Sequence, residues 1–282
     1  MTQAFVFSVI FITGYSIVIL LHGVGLCMLR RVKTNLPNQK VLVTNLALAE
    51  FILSFYMTVN YSVDICGGWN ATWNYVDIFM ICFSYTTIRL LVLHIILDRF
   101  AEIYLNIRYA LYMHIKRTKL IVAAIWTFSL TLAVIMTIIF HYSSAAQIWR
   151  IDDTTILIFD SLILVSVIST YSYLFVKVKK IKVEDLKANQ QATSRRRVLV
   201  WDKFKIPTLT VITYVVFDIS GTVVSTIGSF GAFDEESNQL LQDISYVLDI
   251  PAFITDACIY MFLQKEVRKK LSQIISDSFF SG

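Results

Sequence analysis

Apolar positions in this chain run in long unbroken blocks rather than at a period of two or in amphipathic stripes. Seven blocks are continuously apolar or nearly so, at about 4–29, 41–63, 75–97, 120–141, 156–176, 206–230 and 240–263, and clusters of charge separate them. A helix needs about 20 mostly apolar residues to cross the roughly 30 Å hydrocarbon layer of a bilayer, so each block predicts a transmembrane helix. Transmembrane strands would show alternating segments of about ten residues, half the length of these. Backbone hydrogen bonding inside lipid favours helices throughout. The first block is too long for the apolar core of a signal peptide and lacks both a basic lead and a clear cleavage site, so it predicts a span. Beyond the seventh, Val267, Leu271 and Ile274 fall at spacings of four and three with Lys265, Arg268 and Lys269 between them. This pattern predicts an amphipathic helix at about 264–276, lying on an anionic leaflet.

Composition narrows the class further. The 282 residues are 56% apolar and only 16% charged, against about 45–50% and about 25% for an ordinary soluble domain. Nine glycines and three prolines exclude a collagenous or linker-like chain, and four cysteines exclude a dense disulfide scaffold. The fold class expected is an all-α membrane protein, a single seven-helix domain over residues 1–282. No internal repeat suggests the transporter folds built from two related halves.

The net charge of +5 does not imply nucleic acid, because the basic residues are placed by topology. Of 25 lysines and arginines, 23 lie between blocks one and two, three and four, five and six, or after block seven. The opposite loops carry Asp64, Asp152, Asp153, Asp234, Glu235 and Glu236, with Arg150 their one basic residue. Basic loops stay in the cytoplasm, so the N-terminus is expected outside and the C-terminus inside. Asn70-Ala71-Thr72, in the first outer loop, fits an N-glycosylation sequon on the correct side.

Local motifs point to a family. The third block ends Asp98-Arg99-Phe100 and continues to Ile103, Leu105 and Tyr109; the second contains Asn45-Leu46-Ala47-Leu48-Ala49-Glu50; the fourth holds the single Trp126; the seventh ends Asp256-Ala257-Cys258-Ile259-Tyr260-Met261-Phe262. In their order and spacing these motifs resemble the rhodopsin-like (class A) G-protein-coupled receptors, over essentially the whole chain. The resemblance implies a plasma-membrane receptor for an extracellular small molecule or short peptide that activates a heterotrimeric G protein. Asp98, Arg99, Phe100, Tyr109, Tyr260 and Tyr171 or Tyr173 would serve coupling, with Arg99 meeting the G-protein α-subunit. Glu50 and Asp256 would form the family's polar hub, which can hold a sodium ion, a shared proton or bridging water.

The sequence also departs from the family. Span one lacks a Gly-Asn pair, span six reads Phe217-Asp218-Ile219-Ser220 where the family often has Cys-Trp-x-Pro, Asn106 and Ala257 stand where proline is usual, and the loop expected at 142–155 has no cysteine to pair with helix three. Cys66 is therefore expected to be a free thiol.

Ionisable side chains at a membrane centre cost roughly 2.5–3.5 kcal/mol each on insertion scales and normally face the bundle interior. Beyond the hub, Arg89 and Asp218 are expected to face one another as a core pair, either a switch or a structural clamp. Asp160, Asp249 and Tyr246, in outer halves, are candidates for ligand binding; helix pairing is the plainer role for the two carboxylates. No metal-ligand spacing, phosphate loop or nucleophile elbow suggests an enzyme, and no cofactor is expected beyond sodium at the hub. Two other functions fit the same pattern: a transporter or channel using the buried carboxylates, and a seven-helix scaffold or dimer partner that no longer signals.

Overall fold

The computed structural model describes residues 2–32, 37–68, 70–105, 109–142, 145–185, 208–230, 235–259, 267–270 and 272–273. All regular structure among them is helical. The long helices are α1 (Thr2–Arg31), α2 (Pro37–Ile65), α3 (Ala71–Leu105), α4 (Ile115–Tyr142), α5 (Ala145–Asp185), α6 (208–230) and α7 (Glu235–Cys258), and a single turn, Tyr109–Tyr112, links α3 to α4. Six of them, α1 to α6, contain segments long and apolar enough to cross a membrane. Helix α7 carries Glu235, Glu236, Asp243, Asp249 and Asp256 along its length, which dilutes its apolar content.

The helices close into a ring in the order α1, α2, α3, α5, α6, α7, with α4 against α2 and α3. Helix α1 packs along α2 and α7, α2 along α3 and α4, α3 against α4 and α5, and α6 between α5 and α7. The interior is filled by Phe11, Tyr15, Leu46, Leu53, Met57, Ile88, Leu91 and Phe253. Helices α1, α4 and α5 expose much of their apolar surface, including Leu20, Phe128, Ile138, Val165 and Ile168. Exposed apolar area on that scale is the signature of a lipid-facing surface.

Two glycines set the closeness of α7 to its neighbours. A Cβ on Gly14 would lie 2.6 Å from Cδ1 of Ile250, and one on Gly221 would lie 3.2 Å from the Ser245 carbonyl oxygen. Small residues at such crossings let helix backbones approach, as is common in membrane bundles.

Three local features differ from the sequence pattern. Helix α5 already begins at Ala145 and continues to Asp185, so most of the loop expected at 142–155 is helical. Helix α6, without a proline, contains a five-residue π-helical stretch, Tyr214–Asp218; such bulges insert a residue into the helix and often mark functional sites. Of the amphipathic helix expected at 264–276, short helical pieces at 267–270 and 272–273 are described, with Val267 buried and Arg268 and Lys269 exposed.

Candidate functional site

The site is a column of buried polar side chains along the inner faces of the helices. At one end α3 runs on past its apolar block, which brings Asp98, Arg99 and Glu102 onto its last turns. The Arg99 guanidinium donates to Asp98, and through Nη1 to Oε2 of Glu102 at 2.6 Å. The Tyr109 hydroxyl donates to the second Asp98 oxygen at 2.5 Å. Asp98 and Arg99 are both buried, so the charges are held by one another rather than by water. Charge-assisted bonds of this kind are about twice as strong as neutral ones. Tyr109 lies outside the spans, and burial together with the bond it donates to Asp98 pushes its hydroxyl above the ordinary tyrosine range. Phe100 and Tyr104 meet Tyr173 of α5, with ring centroids 5.6 and 6.1 Å apart. Of the two tyrosines in this region, Tyr173 is thus the one against the Asp98-Arg99-Phe100 segment. Tyr260 lies outside the described residues.

Further along the column, Glu50 of α2 and Asp256 of α7 are both buried and lie within electrostatic reach of each other. His22 of α1 completes this group: its Nε2 is 3.2 Å from the Phe253 carbonyl oxygen and 3.2 Å from Oε2 of Glu50. Sequence reasoning missed His22, whose only signal is a lone polar ring inside an otherwise apolar run. Trp126 Nε1 donates to Asn45 Oδ1 at 3.1 Å, tying α4 to α2 through two residues of the motifs above.

In the middle of the column Arg89 and Asp218, the expected core pair, lie within electrostatic reach of each other, but the direct ion pair is made elsewhere. Arg89 does not form its ion pair with Asp218; its Nε donates to Asp160 of α5 at 2.9 Å, and its Nη2 to Thr222 of α6 at 3.0 Å. The guanidinium also stands 5.0 Å over the Tyr85 ring. Tyr214, the first residue of the π-helical stretch, donates to the same Asp160 oxygen. Asp218, the last residue of that stretch, is buried within electrostatic reach of Asp249, Arg89 and Asp256. The reason is reach across the ring: α3 packs directly on α5, and the Arg89 side chain meets the carboxylate that α5 presents.

Asp160 and Asp249 therefore lie inside the bundle with their own partners. Asp249 accepts from Tyr85, and the backbone of Tyr246 accepts from Tyr15 at 3.4 Å. Tyr85, Tyr214 and Thr222 were not singled out from sequence, since an aromatic or threonine in an apolar block reads as packing.

At the opposite end, Tyr56 donates to Asp77, Trp73 Nε1 to Asn60 Oδ1 at 2.7 Å, and Ser8 to Asp64 at 3.4 Å. Asn70 is exposed and caps α3, its Oδ1 accepting the Trp73 N–H at 2.9 Å. All four cysteines, Cys66 among them, are free thiols. No group of three or more His, Cys, Asp or Glu side chains among the described residues is arranged to hold a metal ion.

No protein-family model matches the chain, and no curated protein matches its sequence. What the geometry defines is a helical protein with six helices fit to cross a membrane and several clusters of buried polar side chains inside the bundle.

Proposed function

We propose that the chain is a seven-span receptor of the rhodopsin-like kind, with α7 as its seventh crossing, the N-terminus outside the plasma membrane and the Asp98 end in the cytoplasm. In this reading an extracellular small molecule or short peptide is sensed near Asp249 and Tyr246, and a heterotrimeric G protein is the intracellular partner. The pieces of helix around Val267 are the start of the amphipathic helix on the inner leaflet.

The observation that carries the reading is the buried cluster of Asp98, Arg99, Glu102 and Tyr109. An arginine buried at the end of a span and held by two carboxylates is a closed contact that can be released toward a protein partner. The arm Phe100–Tyr173 links that contact to α5. Above it, Arg89, Asp160 and Tyr214 bind α3, α5 and the π-helical part of α6 into one unit. A ligand that changes Asp249 or Tyr85 therefore acts on the group that fixes α6, and it shifts the balance of states only by the difference in its affinity for them.

The test is G-protein activation in cells expressing the full chain, across the main α-subunit classes, with and without tissue extract, beside an Arg99→Ala variant matched for surface expression. The reading expects activation in the wild type that is lost in the variant. Equal responses from both proteins would overturn it, and ion or substrate flux that is insensitive to Arg99→Ala would point to a transporter.

A further inference from the structure

A cleft of about 370 Å³ opens between the first turns of α3 and the last turns of α4, at the end of the bundle opposite Asp98. Phe79 of α3 and Val134 and Ile138 of α4 form its walls, and Tyr75, His141 and Tyr142 form its rim. Ile138 is 54% exposed and Tyr142 82%, so the cleft faces the same side as the apolar surface that the bundle turns to lipid. Neither helix fills it from its own side chains.

The lining sets what can enter. No lysine, arginine, aspartate or glutamate borders the cleft, so a phosphate or ammonium headgroup drawn into it would lose water and meet no opposite charge. From Val134 to His141 the α4 wall rises about 10 Å at the helical rise per residue. It is apolar there except for Thr137, whose hydroxyl is turned back onto the Ala133 carbonyl at 2.8 Å. Polar atoms gather at the rim. Tyr75 Oη and His141 Nδ1 are 3.0 Å apart, and the Tyr75 ring is held edge-on against Phe140 with centroids 5.2 Å apart. Either tautomer leaves this pair able to bind one more hydroxyl. With Nδ1 protonated the histidine donates to the tyrosine oxygen, whose own O–H is then free to donate; with Nδ1 bare Tyr75 donates to it and its oxygen still accepts.

We propose that this cleft is a binding site for a sterol, an uncharged lipid with a flat fused-ring body and a single hydroxyl. The hydroxyl sits at the Tyr75 and His141 pair, at the height where tyrosines are favoured because one end of the ring is wet. The ring body lies along Phe79, Val134 and Ile138, with Tyr142 beside its upper end. A rigid body loses little conformational freedom on seating, whereas an acyl chain has to be ordered to fill the same space. A concave apolar surface of about 300–1,000 Å³ with a few placed polar groups is also the usual make-up of a small-molecule site. The proposal needs these helices to lie in a bilayer, and it does not rest on coupling to a G protein.

The test uses the purified full chain in lipid nanodiscs holding one copy each, a photoactivatable cholesterol analogue with its hydroxyl free, and mass mapping of the labelled peptides. Label is expected on residues 75–79 and 134–142, saturable and displaced by unlabelled cholesterol. Cholestene, the same body without the hydroxyl, should compete about fivefold more weakly, the worth of one ordinary hydrogen bond. Tyr75→Phe keeps the ring and should narrow that gap between the two competitors. Ile138→Trp fills the cleft from a lipid-exposed position and should abolish the label there without lowering the melting temperature. Label spread along α1, α4 and α5 without saturation, label unmoved by Ile138→Trp, or equal competition by cholestene in the wild type would each overturn the proposal. So would better displacement by lysophosphatidylcholine than by cholesterol, or label found only in discs that hold two copies.

Discussion

Removing the Asp160 carboxylate tests the polar column at its centre. In Asp160→Ala, Arg89 keeps the Thr222 hydroxyl at 3.0 Å, the face of Tyr85 at 5.0 Å and the longer-range attraction of Asp218, and Tyr214 loses its acceptor. Leaving one partner of a buried ion pair uncompensated costs about 3–5 kcal/mol in soluble proteins, and an orphaned hydroxyl adds about 1–3 kcal/mol. Interhelical bonds within bilayers average only about 0.6 kcal/mol, since separated helices find other partners. The structure therefore points to the low end of the sum, about 4 kcal/mol. Replacing both charges, in Arg89→Met with Asp160→Leu and Tyr214→Phe, leaves an apolar contact of similar volume, a swap that is often neutral or better. The assay is thermal unfolding in detergent followed by thiol labelling of Cys82, which is 3% exposed in the fold and becomes reactive as the helices separate. The single variant should melt well below the wild type and the triple variant should recover most of the loss. A single variant that melts with the wild type, or a triple variant less stable than the single, would refute the pairing.

The two close helix crossings should respond differently to an added methyl. Gly14→Ala meets the flexible end of Ile250 and Gly221→Ala meets the Ser245 backbone carbonyl; each should cost about 1–3 kcal/mol by overpacking, but only the first should be rescued by Ile250→Ala in the same melting assay. Tyr109 should ionise later than ordinary tyrosines, because burial and its bond to Asp98 raise it above the usual 10.0. Its contribution is therefore complete below about pH 10 and lost only as the pH climbs through the higher folded value. A spectrophotometric titration of wild type against Tyr109→Phe should show no phenolate difference near pH 10. Topology is tested with an epitope at each end. If α7 crosses the membrane, the N-terminal tag should be seen on intact cells and the C-terminal tag only after permeabilisation; detection of both on intact cells would exclude an odd number of crossings.

Much of this architecture was legible because lipid imposes one simple demand, long apolar runs, and the chain meets it openly in α1 to α6. That Glu50 and Asp256 turn inward was legible too, since an ionisable group in such a run has few places to go. Partner choice was not. Arg89 has a long side chain and several carboxylates within reach of a helix that touches α2, α4 and α5 at once, so nothing in its sequence position separates Asp160 from Asp218. The extra turns at the start of α5 were hidden for the opposite reason: residues 145–153 mix charge and apolar side chains, and a helix there has no clean stripe to announce it. Tyr85, Tyr214 and His22 act through one polar atom on an apolar body, and a hydropathy pattern registers only the body.

Helix α7 shows how far that pattern reaches. On its own it is a poor candidate to enter a bilayer, since aspartates near a helix centre each cost roughly 2.5–3.5 kcal/mol to insert. Yet Tyr246, Asp249, Phe253 and Asp256 follow one another at spacings of three, four and three and so share one face. That face meets α1 through Tyr15 and His22, α3 through Tyr85 and α2 through Glu50. The two aspartates near its middle, Asp249 and Asp256, are thus turned toward groups on other helices rather than toward lipid. The insertion cost belongs to the isolated helix and the partners belong to the bundle, so α7 is stabilised by α1, α2, α3 and α6, which it meets. Hydropathy measured helix by helix counts six among the described residues; in the seven-span reading proposed above, these contacts are what would hold α7 in the bilayer.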